Sequence, residues 1–306
     1  MKAKYAWIDE HRTHWPITRM DDALDVSTSE FYNWRKRTAA PPTLREQSKQ
    51  QRRALIEELF NGSWKIYGYR KTCAVLRKRG VACSPNTVHA DYKHRGLRSV
   101  VTKKHRVCTT NSNHKNPVSE NVLARNFRSE RPNEKWVTDI TYVETHEGWL
   151  FVVAILDLFL WKVIGYTMAD HMRTSLVVSA LRTALMRGRK IVGEIWFHSD
   201  RGVQFSSEMF RDALRITEIG QSMSRKGNCW DNAPCESWFR KLKSEWIYPN
   251  GIYETREEAT SSIIEYIEMF YNSEREHQAL GYKTRNEFES EYFDHEMELT
   301  SVGPVI

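Results

Sequence analysis

The run GWLFVVAILDLF, residues 148–159, places the tightest limit on what this chain can fold into. Trp149 to Leu156 is uncharged and apolar, yet far shorter than the roughly 18 residues that cross a bilayer. It belongs in a protein interior. Its β-branched and aromatic residues show no alternation, so it reads as a strand buried on both faces, and such a strand needs a covering layer on each side of its sheet. The flanking runs KWVTDITYVE (135–144) and WKVIGYTMA (161–169) are β-rich and separated from it by short breaks, which predicts three antiparallel strands. TSLVVSALRTALMR (174–187) then sets Leu176, Val177, Ala180, Leu181, Ala184 and Leu185 on one helical stripe. VGEIWFHSD (192–200) returns as a strand, followed by a helix at 207–216, a strand at 219–224 and a long helix from Asn232 to Trp246. The expectation is an α/β core, a five-stranded mixed sheet flanked by helices.

The N-terminal part is helical and basic. Residues 18–37 read as a helix, a tight turn near Asp25-Val26 and a second helix capped by Ser27 or Thr28, the grammar of a helix-turn-helix. A charged helix follows at about 44–60. A second unit runs from Tyr69 to Arg79, stops at Gly80, restarts at Ser84-Pro85 and reaches Arg95 before Gly96. Residues 1–130 hold 26 Lys and Arg against 12 Asp and Glu, whereas residues 131–306 hold 20 against 27. The basic part suits a polyanion. In a helix-turn-helix the second helix enters the major groove, which makes Asn86, Thr87, His89, Lys93 and Arg95 candidates for DNA contact. The expected domains are 1–40 and 64–100 as helix-turn-helix units, 41–63 as a helical linker, 101–130 as a linker, 131–290 as the catalytic core with C-terminal helices, and 291–306 as an acidic tail. The five cysteines include no C-x-x-C and read as reduced thiols. His105, Cys108 and His114 lack a fourth ligand for a metal site. The start MKAKYAWIDEHR has no apolar signal-peptide core, so the expected place is the cytoplasm, associated with the nucleoid.

Three carboxylates stand out. Asp139 lies inside the apolar strand WVTDITYV, where an unpartnered charge is costly. Asp200 closes the strand EIWFHSD at the kind of carboxyl end where α/β sheets bind ligands, with Gly202 close behind. In DNAPCESWFRKLKSEW (231–246) Asp231 or Asn232 can cap a helix, and Pro234 fits its first turn. Glu236 then shares a face with Arg240 and Lys243, beside an apolar stripe of Trp238, Leu242 and Trp246. Converging carboxylates suit Mg²⁺ or Mn²⁺, and two such ions can drive phosphodiester displacement while Arg240 and Lys243 hold phosphate.

In that order, WVTDITYV, FHSDRGVQFSS and SMSRKGNCWDNAPCESWFRKLKSE resemble the acidic segments of the DDE transposase and retroviral integrase superfamily. Sixty residues separate Asp139 from Asp200, and 35 separate Asp200 from Glu236. AILDLF, YNSEREHQALGYKT (271–284) and YGYRKTCAVLRKRG extend the likeness over nearly the whole chain, most closely to the OrfB-type transposases of the insertion-sequence-three family. The resemblance implies a ribonuclease-H-like core preceded by helix-turn-helix units. It also implies catalytic and metal-ligating Asp139, Asp200 and Glu236, two Mg²⁺ ions for which Mn²⁺ substitutes, 3′-end cleavage at terminal inverted repeats, and strand transfer. Implied partners are double-stranded DNA, a second copy of the chain on DNA, and an upstream-frame protein or fusion. Leu160-Trp161 and Arg285 depart from the family pattern, where a Ser-Arg pair and a proline are usual. A non-catalytic DNA-binding regulator and a structure-selective nuclease are the alternatives.

Among the remaining polar residues, Asp157 is expected to be structural rather than a fourth ligand, and His198 is given no role. Trp230 can stack on a base or cover the core. The acidic residues at 287–298 are read as a solvated end.

Overall fold

A computed structural model describes residues 1–101, 116–187 and 193–301; His105, Cys108 and His114 lie outside them. The chain divides into two compact units, Met1–Glu58 and Leu59–Ile306. In the first, α1 (Lys2–His11), α2 (Ile17–Leu24) and α3 (Thr28–Ala39) enclose Tyr5, Ile8, Met20 and Phe31. The turn falls where the sequence places it, with Asp25 ending α2 in the left-handed region at φ 49°, a conformation that Asp tolerates better than most residues. The α1 helix has no counterpart in the sequence reading. It contributes Tyr5 and Ile8 to the small core.

α4 (Leu44–Gly62) precedes the second helix pair, α5 (Tyr69–Lys78) and α6 (Pro85–Arg95). Gly80 follows α5 at φ 80°, Ser84 Oγ caps α6 by accepting the Thr87 N–H at 3.1 Å, and Gly96 ends it at φ 65°. Leu59 and Phe60 at the end of α4 are buried, and Phe60 meets Tyr92 of α6 edge-on at 5.7 Å. The end of the segment read as a linker therefore packs as a third helix of this module.

The sheet holds β1 (Lys135–Thr145), β2 (Gly148–Asp157), β3 (Lys162–Ala169), β4 (Trp196–Ser199) and β5 (Gly220–Met223) in the order β3-β2-β1-β4-β5. The first three are antiparallel, and β4 runs parallel to β1 and to β5. On one face Trp136, Ile140, Val153, Ile155 and Ile164 pack against α7 (Thr174–Arg187) and α8 (Glu208–Ile216). A Cβ on Gly165 of β3 would stand 2.7 Å from the Ala184 Cβ and the Ala180 carbonyl, so the close approach of α7 requires glycine there. α9 (Ala233–Leu242) lies against β1 and continues into a π-helical run, Lys243–Ile247, and a single turn, α10 (Tyr248–Asn250). α11 (Arg256–Glu265) packs on β1 and β2 and leads into a second π-helical run, Tyr266–Asn272.

Two segments differ from the sequence reading. Residues 116–130, expected as linker, lie along β5: Val122 and Leu123 N–H groups bond Ser222 Oγ, and Ser119 Oγ donates to Gln221 Oε1. The acidic C-terminal segment is a helix, α12 (Arg285–Ser301), rather than a loose tail, with Glu287, Glu291, Asp294, Glu296 and Glu298 solvated as expected and Glu289 half-buried. Phe288 and Tyr292 hold it against Phe159, and Lys162 and Lys283 pair with Glu289 and Glu291. No helix of the described residues is long and apolar enough to cross a membrane.

Candidate active site

The site lies where two parallel strands part. Pairing of β1 with β4 ends at Val137↔His198, so from Thr138 onward β1 has no β4 residue beside it. Such a divergence leaves a crevice at the sheet, and α9 enters it. Asn232, immediately before α9, donates from Nδ2 to the Thr138 carbonyl at 2.8 Å. Neither capping expectation holds, because Asn232 makes no side-chain cap bond. Asp231 does not cap either: its wholly buried carboxylate accepts Arg225 Nη2 at 2.8 Å, Arg125 Nε at 2.9 Å and the Arg225 N–H at 3.0 Å. Those hydrogen bonds, the Arg225 guanidinium first, hold the Asp231 carboxyl far below the usual range.

This brings the three predicted acids together. Asp139 projects from β1 just past the last β4 pair, Asp200 follows β4, and Glu236 stands on the first turn of α9. Burial pushes the Asp139 carboxyl well above its ordinary value; the Asp200 charge and then Glu236 add to this, while the Ile140 N–H at 2.7 Å and Lys243 oppose it. Glu236 is raised by burial and by Asp200, against the pull of Arg240. Buried Cys235 is a further neighbour, its thiol raised by burial and by the same three carboxylates. Among the described residues no three His, Cys, Asp or Glu side chains form a ready metal cage. The oxygen donors and their mutual repulsion nevertheless fit hard divalent cations, which relieve that repulsion.

Asp200 Oδ1 accepts the Gly202 N–H at 2.9 Å, so this carboxylate also closes a turn. A Cβ on Gly202 would lie 3.0 Å from that oxygen and 3.1 Å from Gln204 Oε1, so a side chain there would press on both. Arg201 Nε donates to the Ser224 carbonyl at 2.7 Å, a turn-shaping contact. Of the predicted cations, Arg240 is exposed, whereas Lys243 is half-buried with Nζ 4.9 Å from the Tyr142 ring centre. Burial lowers the Lys243 pKa and Asp139 opposes that shift.

On α6, Val88, Asp91 and Tyr92 are buried, and Asn86, His89, Lys93 and Arg95 are exposed. The Thr87 hydroxyl pairs with Ser84 Oγ at 2.9 Å and serves the helix start. His89 packs on Tyr69 at 4.7 Å. Asp157 is structural, accepting the N–H groups of Asn133, Phe159 and Leu160 at 2.6–2.9 Å. His198 is sealed between Ser222 and Ser224 hydroxyls at 2.8 and 3.1 Å; burial lowers its pKa to about 4. Trp230 is exposed and does not cover the core.

Sequence reading missed two networks. The Arg125–Asp231 pair spans 106 positions with no periodic signal. The other is a buried ion pair of Glu245 and Arg275 at 2.6 Å, joined by the Tyr266 hydroxyl at 3.0 Å. Arg285, one of the departures from the family pattern, stacks on Tyr271 at 3.8 Å and donates to the carbonyl of Trp161, the other departure, at 3.2 Å.

Residues 129–229 and 217–284 match two descriptions of an integrase core domain, and residues 47–105 match an HTH-like domain. Over 94% of this chain and 98% of the relative, the sequence is 35% identical to transposase InsF for insertion sequence IS3A of Escherichia coli (strain K12). It is 37% identical to an uncharacterized 31 kDa protein of insertion element IS600 from Shigella sonnei, covering 89% and 98%. Among solved structures, a simian T-cell lymphotropic virus intasome in complex with PP2A regulatory subunit B56 gamma aligns over 76% of this chain and 73% of that one, with 16% identity and a TM-score of 0.44. The catalytic core domain of BIV integrase aligns over 53% and 99%, with 19% identity and a TM-score of 0.40. At these scores the structural likenesses carry no functional weight; the sequence relatives do.

Proposed function

The chain belongs to the IS3 family of integrase-core transposases, and we propose that it cleaves 3′ ends at the terminal inverted repeats of its element and joins them to target DNA through Asp139, Asp200 and Glu236. It is a DNA transposase. The observation that carries the residue assignment is the convergence of three carboxylates from β1, the end of β4 and α9 at one crevice, close enough that Asp200 and Glu236 raise the Asp139 carboxyl and Asp200 raises Glu236. Asp139, Asp200 and Glu236 would hold two Mg²⁺ ions, with Mn²⁺ able to substitute, and the bound ions supply activation of the attacking oxygen and neutralisation of charge at the phosphate. Arg240 stands exposed beside Glu236 to meet the DNA backbone, and Lys243 faces Asp139 from the half-buried side.

The α6 face bearing Asn86, His89, Lys93 and Arg95 reads the terminal repeat in the HTH-like module, and the helices of residues 1–40 form a second DNA-reading unit. The protein works on double-stranded DNA in the nucleoid, as at least a dimer when two ends are paired, with an upstream-frame protein or fusion as further partner. The test is a strand-transfer assay with oligonucleotides carrying the terminal repeat. Asp200→Ala should abolish joining while leaving DNA binding intact, and unchanged joining would sink the triad assignment. Removal of divalent cations should stop cleavage and joining together. Cleavage without joining by the wild type would favour the nuclease alternative.

A further inference from the structure

The HTH-like helices α5 and α6 lie in the same compact unit as the carboxylates. The attachment is a clasp between α5 with its preceding loop and the turn 276–283 ahead of α12. Lys71 Nζ donates to the Glu276 carbonyl at 2.7 Å while lying 4.0 Å from the centre of the Tyr67 ring. The Glu276 N–H donates to the Tyr67 hydroxyl at 3.0 Å. Lys78 Nζ donates to the Tyr282 carbonyl at 2.8 Å and reaches Glu287 at 3.8 Å. The turn is stiffened by paired main-chain bonds, His277 N–H to Lys283 O and Tyr282 N–H to His277 O, each at 2.9 Å.

The turn is tied in turn to the catalytic helix. Arg275, one residue before it, forms the buried pair with Glu245 in the π-helical run that continues α9 past Lys243. Trp64 adds an edge contact to Trp246 of the same run at 4.9 Å. Exposed Lys78 is a charge-assisted donor, whereas burial lowers the Lys71 pKa to about 6, so at neutral pH it donates chiefly as the amine; backbone acceptors leave no side chain to swing away. The recognition module and Glu236 are thus linked through short polar contacts at each joint.

We propose that Tyr67, Lys71 and Lys78 are positioning residues that hold α6 at a fixed separation from the carboxylates and thereby set which phosphodiester is cut relative to the recognised sequence. The inference rests on the reading of α6 as the DNA-reading helix and of the triad as catalytic. The test uses the full chain and a labelled duplex carrying the terminal repeat, with companions in which base pairs are inserted between the α6-protected segment and the cleavage point. Wild type should cut at a single position that keeps its distance from the protected segment. The Tyr67→Phe, Lys71→Met, Lys78→Met variant should bind the duplex with unchanged Kd yet spread its cuts over neighbouring phosphodiesters, the share at the wild-type position dropping several-fold. A variant that still cuts only at the wild-type position, whether at full or reduced yield, overturns the proposal. Should the triple variant lose its fold by circular dichroism, exposed Lys78→Met alone decides by the same criterion. Failure of the wild type to cut at all would count against the catalytic reading instead, and is distinguishable on that ground.

Discussion

Asn232→Ala should separate positioning from capping at α9, the helix that carries Glu236. Asn232 is 3% exposed, makes no cap bond, and donates its one strong side-chain hydrogen bond to the Thr138 carbonyl at 2.8 Å, beside Asp139. Among the described residues its Oδ1 has no hydrogen-bond partner, so the side chain acts there as a donor. Truncation strands a buried carbonyl, a loss of about 1–3 kcal/mol. For a unit of this size that corresponds to a fall in Tm of roughly 2–4 °C per kcal/mol. The kinetic effect should be larger than the thermal one, because Glu236 sits one helical turn beyond the lost contact and a misplacement of about 1 Å can cost on the order of 100-fold in rate. Strand transfer on pre-cleaved oligonucleotides should drop by roughly 10- to 100-fold with unchanged DNA affinity. Asn232→Asp is the decisive control. Aspartate is as good an N-cap as asparagine but has no amide to donate, so it should fail like alanine. Wild-type joining by Asn232→Asp would refute the reasoning, since it would show that a cap is all this position needs.

Other outcomes follow from the same geometry. Burial would push the Glu245 carboxyl up, but Arg275 and its hydrogen bonds hold it below the ordinary range. Glu245→Gln leaves the Arg275 charge buried without its counter-ion and should cost about 3–5 kcal/mol in urea unfolding. That contribution is present above the unfolded carboxyl pKa and is lost as pH falls through the folded one; a loss under about 1 kcal/mol would show the pair to be solvated. His198 titrates in the opposite sense to a paired histidine. Its folded pKa of about 4 lies below the ordinary 6.5, so it weakens the fold as pH drops from 6.5 towards 4, by up to about 3 kcal/mol. In His198→Gln that share of the acid sensitivity should vanish, and a parallel pH profile for both proteins would contradict the assignment. Lys243→Met should lower the slope of log K against log salt by about one. An unaltered slope would assign the ammonium to Asp139 rather than to DNA phosphate.

Much of the architecture was legible because it rests on local periodicity. The run 148–159 read as a strand buried on both faces and β2 occupies its first ten residues, α7 occupies the segment marked by its apolar stripe, and Gly80, Ser84, Pro85 and Gly96 mark the ends of α5 and α6. The reading failed where polar residues carried the packing. Residues 116–130 looked like linker because they have no period, yet they bind β5 through Ser119 and the N–H groups of Val122 and Leu123. Glu289 looked solvated because its lysine partner, Lys162, belongs to another element.

The sequence by itself singled out three acidic side chains, since an aspartate inside an apolar strand, another at a strand end and a glutamate on an amphipathic helix are each costly or exposed for local reasons. Tertiary structure alone decided how they meet. The β4 strand stops at Ser199 and leaves the edge of β1 open from Thr138, Asn232 fastens α9 there instead of capping it, and Asp231 locks the entry to that helix through Arg125, 106 positions away. Such contacts join backbone and side chains distant in the chain, and their energy depends on a geometry that no one-dimensional pattern records.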